Sequence, residues 1–92
     1  MNGIFSFDPT DKIYADHFPG NPVVPGSFIV HAFMEAGKKM GFAGKRCAIE
    51  NFRFKHFISP GEYPFNIQVS SDGLRCELYR NDRTVVTGTL KI

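Results

Sequence analysis

Ninety-two residues suffice for one domain, and a chain of this size buries only about two-thirds of the surface it exposes when unfolded. With 42% hydrophobic residues and ten phenylalanines it can build a core, and one this small gains further burial by oligomerising, so a dimer is expected. A net charge of +2, with no stripe of Lys and Arg interleaved with aromatics, excludes a nucleic-acid stacking groove and suits a small acidic partner.

The chain opens on Gly3 to Phe7, which alternates as a short strand does, and Asp8-Pro9-Thr10-Asp11 closes it as a turn. Pro19, Gly20, Pro22, Pro25 and Gly26 then fall so close together that neither a helix nor an interior strand tolerates them, which predicts a shaped loop. From Ser27, a good N-cap, the pattern predicts one helix to about Met40, stopped by Gly41 and Gly44. Its apolar residues Phe28, Ile29, Val30, Ala32, Phe33, Met34 and Ala36 cover almost the whole circumference, so burial on most sides is expected. The same apolar stretch is less than half of the ~20 residues a membrane span needs, so no transmembrane segment is predicted.

The remainder reads as strands over Arg46 to Phe57, Tyr63 to Ser71, Leu74 to Arg80 and Thr84 to Ile92. Ser59-Pro60-Gly61, Asp72-Gly73 and Asn81-Asp82 read as hairpin-type connections, and the last two are short enough to force antiparallel neighbours. The expectation is an α+β meander: a single domain over 1–92 in which a curled antiparallel sheet of about five strands wraps one central helix. Cys47 and Cys76 lack C-x-x-C spacing and no secretory leader is visible, so both are read as free thiols of a cytoplasmic protein.

Two side chains interrupt the apolar face of the predicted helix, His31 and Glu35, four residues apart and so on one face. Lys38 and Lys39 extend that stripe, and a solvated edge explains it as well as a site does. His17, just before the Pro/Gly loop, is by itself more often a loop hydrogen-bonder than a catalyst.

Taken together, His17-Phe18-Pro19-Gly20-Asn21-Pro22-Val23-Val24-Pro25-Gly26 closely resembles the H-F-P-G-x-P-x-x-P-G signature of the hot-dog fold 3-hydroxyacyl-carrier-protein dehydratases. Ile49 to Lys55, followed by Ser59-Pro60-Gly61-Glu62, is similar to the strand and P-G-[DE] turn that come next in that family, and the resemblance extends from about Tyr14 to Ile92. It implies a hot-dog domain that eliminates water from a 3-hydroxyacyl thioester. The substrate would ride on the phosphopantetheine arm of an acyl carrier protein, with no other cofactor and no metal.

Such an elimination needs a base for the C2 proton, an acid for the departing C3 hydroxyl, and donors for enolate-like charge on the thioester oxygen. The resemblance assigns the base to His17 and the oxyanion contact to the backbone N–H of Gly26. The family's acid, Glu or Asp, lies five positions after that glycine and meets the partner subunit's histidine. This chain has His31 there, with Glu35 one turn on as an orienting or water-mediated group. Arg53 and Lys55, with Lys38, Lys39, Lys45 and Arg46, are candidates for a basic rim that receives the acidic carrier. Three functional readings follow: a dehydratase acting as a homodimer or an assembly of dimers; a carrier-binding module or inactive partner of a hetero-dimeric dehydratase; and a hot-dog thioesterase using Glu35.

Overall fold

The structure is a computed structural model and describes residues 1–12, 22–42 and 48–91. Strand β1 (Asn2–Phe7) leads to helix α1 (Gly26–Gly37), a π-helical turn (Lys38–Phe42), and strands β2 (Ala48–Phe54), β3 (Gly61–Ser70), β4 (Gly73–Arg80) and β5 (Arg83–Lys91). The expected α+β architecture is present, with five antiparallel strands and the central helix among the described residues. The sheet order is β1-β3-β4-β5-β2.

Local chemistry accounts for the hairpins. Asp8 accepts hydrogen bonds on its carboxylate from the Thr10 N–H at 2.8 Å and the Thr10 hydroxyl at 2.7 Å, which closes the turn after β1. Asn81 and Asp82 both take positive φ, 51° and 64°, the conformation that matches a two-residue turn to the twist of β4 and β5.

One connection departs from the meander. Ser59-Pro60-Gly61 does not turn β2 back onto β3; β2 pairs instead with β5, at the opposite edge from β1. Residues 55–60 therefore cross the end of the sheet. A bulge between Glu50 and Arg53, with Asn51 at φ 54°, bends β2 as it joins β5.

The helix also departs from expectation at its start and in its burial. Pro25, not Ser27, is the N-cap, and its carbonyl accepts from the N–H groups of Phe28 (3.0 Å) and Ile29 (3.4 Å). The cap has no side-chain hydrogen bond. Only one stripe is buried, Ile29, Phe33, Ala36 and Gly37, because a single sheet covers a single face. Phe28, Ala32 and Met34 are half-buried flanks, and Ser27, His31, Glu35 and Lys38 are exposed. Within the π turn, Gly41 takes φ 103° and breaks the helical path.

Phe33 is the centre of the core. Its ring meets Phe5 of β1 (centroids 4.9 Å), Phe65 of β3 (6.0 Å) and Phe52 of β2 (6.1 Å). Phe5 stacks on Phe65 at 3.9 Å. Phe52 lies flat over Gly88 of β5, where a Cβ would come within 2.4 Å of the ring. Gly88→Val should therefore expel Phe52 from its seat and destabilise the fold by about 1–3 kcal/mol in urea denaturation. Adding Phe52→Ala to Gly88→Val should cost less than the sum of the two single changes, since the clash is then gone.

Candidate functional site

Helix α1 starts beside the crossing segment because the Val24 N–H donates to the Ile58 carbonyl at 2.8 Å. Gly26 is the first helical residue, and a Cβ there would sit 3.0 Å from the Phe54 ring, so a larger residue would have to push that ring aside to keep this backbone as close to β2. The N–H groups of Gly26 and Ser27 have no hydrogen-bond partner among the described residues. Unpaired donors at the positive end of a helix favour negative charge.

An apolar cleft of about 360 Å³ adjoins this terminus, lined by Val23, Val24, Pro25, Gly26, Ile29, Phe54, His56, Phe57 and Ile58. Its floor is fully apolar, with Val24, Ile29 and Ile58 all buried. Such a space suits an acyl chain whose polar end lies at the helix terminus. His56 was missed by sequence reasoning; it belongs to no motif, and the crossing segment alone carries it to this wall.

His31 and Glu35 share the exposed face of α1, as their spacing predicts, with Nε2 of His31 3.8 Å from Oε1 of Glu35. His31 is 71% exposed and opens on a different cleft, about 460 Å³, with Ser6, Phe7, Asp8, Asp11, Phe28 and Ala32. Gly26 thus faces β2 while His31 faces β1. Among the described residues these two predicted roles line different clefts of one chain.

Glu35 is the better-defined anion. Lys38 Nζ donates to its Oε1 at 3.1 Å; that hydrogen bond and the lysine's charge, with smaller help from His31 and Lys39, hold its carboxyl below the ordinary value of 4.5. A carboxyl so held is ionised at neutral pH, which suits it to accept from His31 and not to deliver a proton.

Arg53 and Lys55 do come together, in a polar cleft of about 390 Å³ with Asn51, Arg75, Thr87, Gly88 and Thr89. Arg75 contacts Glu77 at 3.9 Å, whereas neither Arg53 nor Lys55 has a side-chain partner among the described residues. Lys38 and Lys39 lie past the C-terminal end of α1, about 18 Å from Gly26 at 1.5 Å per residue, and leave the expected rim. His17 and the Pro/Gly loop up to Asn21, together with Lys45, Arg46 and Cys47, lie outside the described residues. Cys76 is buried, and burial pushes its thiol up to about 12, so it is an inert thiol. No helix among the described residues is long and apolar enough to cross a membrane.

The model of the ApeI-like family, described as ApeI dehydratase, matches residues 1–88. The chain belongs to this dehydratase family. It is 30% identical over 97 residues to the 3-hydroxyacyl-[acyl-carrier-protein] dehydratase FabZ of Herpetosiphon aurantiacus, a match covering 96% of this chain and 68% of that protein. The FabZ of Oenococcus oeni is 34% identical over 73 residues, covering 71% of this chain and 52% of that protein. Thus the chain spans between half and two-thirds of the length of these relatives. A chain of the dehydratase heterocomplex ApeI:P from Xenorhabdus doucetiae superposes with a TM-score of 0.78 at 25% identity, covering 98% of this chain and 83% of that one. Family, relatives and fold make this a dehydratase-like hot-dog protein, and they favour neither the inactive-partner nor the thioesterase reading.

The Glu35 carboxyl offers a direct check on the helix face. Its titration, followed by carboxyl-selective NMR, should have a midpoint below 4.5, and Lys38→Met should move it upward. Because the folded-state value is depressed, any stability from the Lys38 contact is present above the unfolded value and lost as pH falls through the folded one.

Proposed function

We propose that this chain removes water from a 3-hydroxyacyl thioester held on the phosphopantetheine arm of an acyl carrier protein, giving a trans-2-enoyl thioester in fatty-acid or related lipid synthesis. The observation that carries this reading is the glycine-led helix start, with two N–H donors that have no partner among the described residues, beside an apolar cleft. The substrate that the FabZ relatives are named for, a 3-hydroxyacyl group on acyl carrier protein, is the one this arrangement suits.

In this mechanism His17 takes the C2 proton. The C–H electron pair forms the C2=C3 double bond through an enolate-like state whose charge rests on the thioester oxygen, facing the Gly26 N–H and the helix dipole. The C3–O bond breaks as His31 donates a proton to the departing hydroxyl, which leaves as water, and the proton that His17 took from C2 returns through solvent to His31, so both histidines end as they began. Glu35, an anion 3.8 Å from His31, orients that imidazole.

Because Gly26 and His31 open on different sides of α1, the reading requires two copies, with His31 of one completing the cleft of the other. The free edge of β2 supports such pairing. Ile49 and Phe54 sit on its inner face, 53% and 42% exposed, where a second copy that extended the sheet would cover them. Arg53 and Lys55 serve as contacts for the acidic carrier, and the protein works in the cytoplasm.

Mass spectrometry of a short 3-hydroxyacyl carrier thioester should register loss of one water with wild type. His17→Ala should lower turnover by about a hundredfold or more. His31→Glu should also lose activity, since it sets a second carboxylate against Glu35. If no chain length is dehydrated by the wild-type protein, the reading fails. In sedimentation at micromolar concentration the chain should run as a homodimer, and Ile49→Lys should shift it towards monomer; a stable wild-type monomer would overturn the composite site.

A further inference from the structure

The crossing segment after β2 is a rigid element that nonetheless exposes its largest apolar side chain. Four hydrogen bonds from four different parts of the fold fix its backbone. Lys55 donates to the Val85 carbonyl (2.8 Å), the Ile58 carbonyl accepts from Val24 (2.8 Å), the Ser59 carbonyl accepts from the Tyr63 hydroxyl (2.6 Å), and the Phe57 carbonyl accepts from Arg80 Nη1 (3.3 Å). Ile58 is 1% exposed and serves as the segment's buried pin. Phe57 beside it is 83% exposed, at the mouth of the cleft that leads to Gly26.

An aromatic ring on a fixed backbone loses little conformational freedom when a partner covers it, which is the character of an interface anchor. The charges around it are mostly basic, with Asp82 of the β4–β5 turn a carboxylate among them. Lys55 and His56 precede it, the Arg80 guanidinium is held against its carbonyl, and Arg83 pairs across the hairpin from Arg80. An acidic protein complements this rim and can dock beside the second copy whose His31 completes the cleft.

We propose that Phe57, rimmed by Lys55 and Arg80, is the docking point for the acidic surface of the carrier protein itself, which seats the carrier at the mouth of the cleft its arm enters. This rests on the dehydratase reading for the identity of the partner. It moves the carrier rim from the far end of α1, where Lys38 and Lys39 lie, to the sheet end beside the start of the helix.

Calorimetric titration with apo acyl carrier protein, which lacks the arm, tests the site without catalysis. Phe57→Ser and Lys55→Glu should each weaken binding by about tenfold or more. Lys39→Glu should leave it unchanged, and added salt should weaken the wild-type complex. Phe57 contributes little to the core, so melting curves should confirm that its variant is folded. Unchanged apo-carrier affinity in Phe57→Ser and Lys55→Glu would overturn the placement, as would a loss confined to the arm-bearing carrier, which would assign the contacts to the arm. A drop in oligomeric state for Phe57→Ser would overturn it in favour of self-association. Dehydration of a carrier-free pantetheine thioester, measured alongside, reports on the catalytic reading separately.

Discussion

The contact on which the fold depends is Phe33 against rings from both ends of the sheet order. Phe5 belongs to one edge strand and Phe52 to the other, yet both reach the same helical side chain. A flat five-stranded sheet would hold its edge strands about 19 Å apart, at 4.8 Å per strand spacing, so the sheet has to curl for both rings to touch one residue. Each aromatic contact adds roughly 0.5–1.5 kcal/mol beyond burial. The bulge in β2 and the bare Gly88 are the local devices that let Phe52 come in.

That curl determines what the helix can do. Pinned at Phe33, α1 presents its start to Phe54 of β2 and its opposite flank to β1, so Gly26 and His31 open on opposite sides. The buried stripe leaves His31 and Glu35 in solvent, where Lys38 keeps Glu35 ionised. The chain belongs to a dehydratase family, and the two-copy site proposed above is what would bring the Gly26 and His31 faces of the helix together.

The crossing segment makes a second structural bargain. It closes the cleft with Ile58, holds the approach to the helix through Val24, and leaves Phe57 and His56 at the opening. Backbone rigidity and side-chain exposure are thus combined in neighbouring residues, and the charges gathered there come from β2, β4 and β5.

Much of this was written locally. Asn81-Asp82 dictates its hairpin because both residues tolerate positive φ, and Pro25-Gly26 dictates where the helix starts, although Ser27 suggested a cap two positions late. The His31 and Glu35 pair follows from a four-residue spacing that any helix turns into proximity, and the loop and helix together displayed the family. Other features depend on contacts remote in sequence. Nothing in Ser59-Pro60-Gly61 states that β2 will pass over its neighbour in sequence and pair with β5, a choice made by register and by Phe52 finding Gly88. An all-apolar circumference could not tell burial against one sheet from burial on every side. Nor could spacing bring Arg80 to Phe57, 23 residues away, or set His56 opposite Gly26. Periodicity and turn chemistry act over a few residues and so could be read directly, whereas strand order and the cleft walls depend on which distant surfaces bury each other, and only the folded chain decides that.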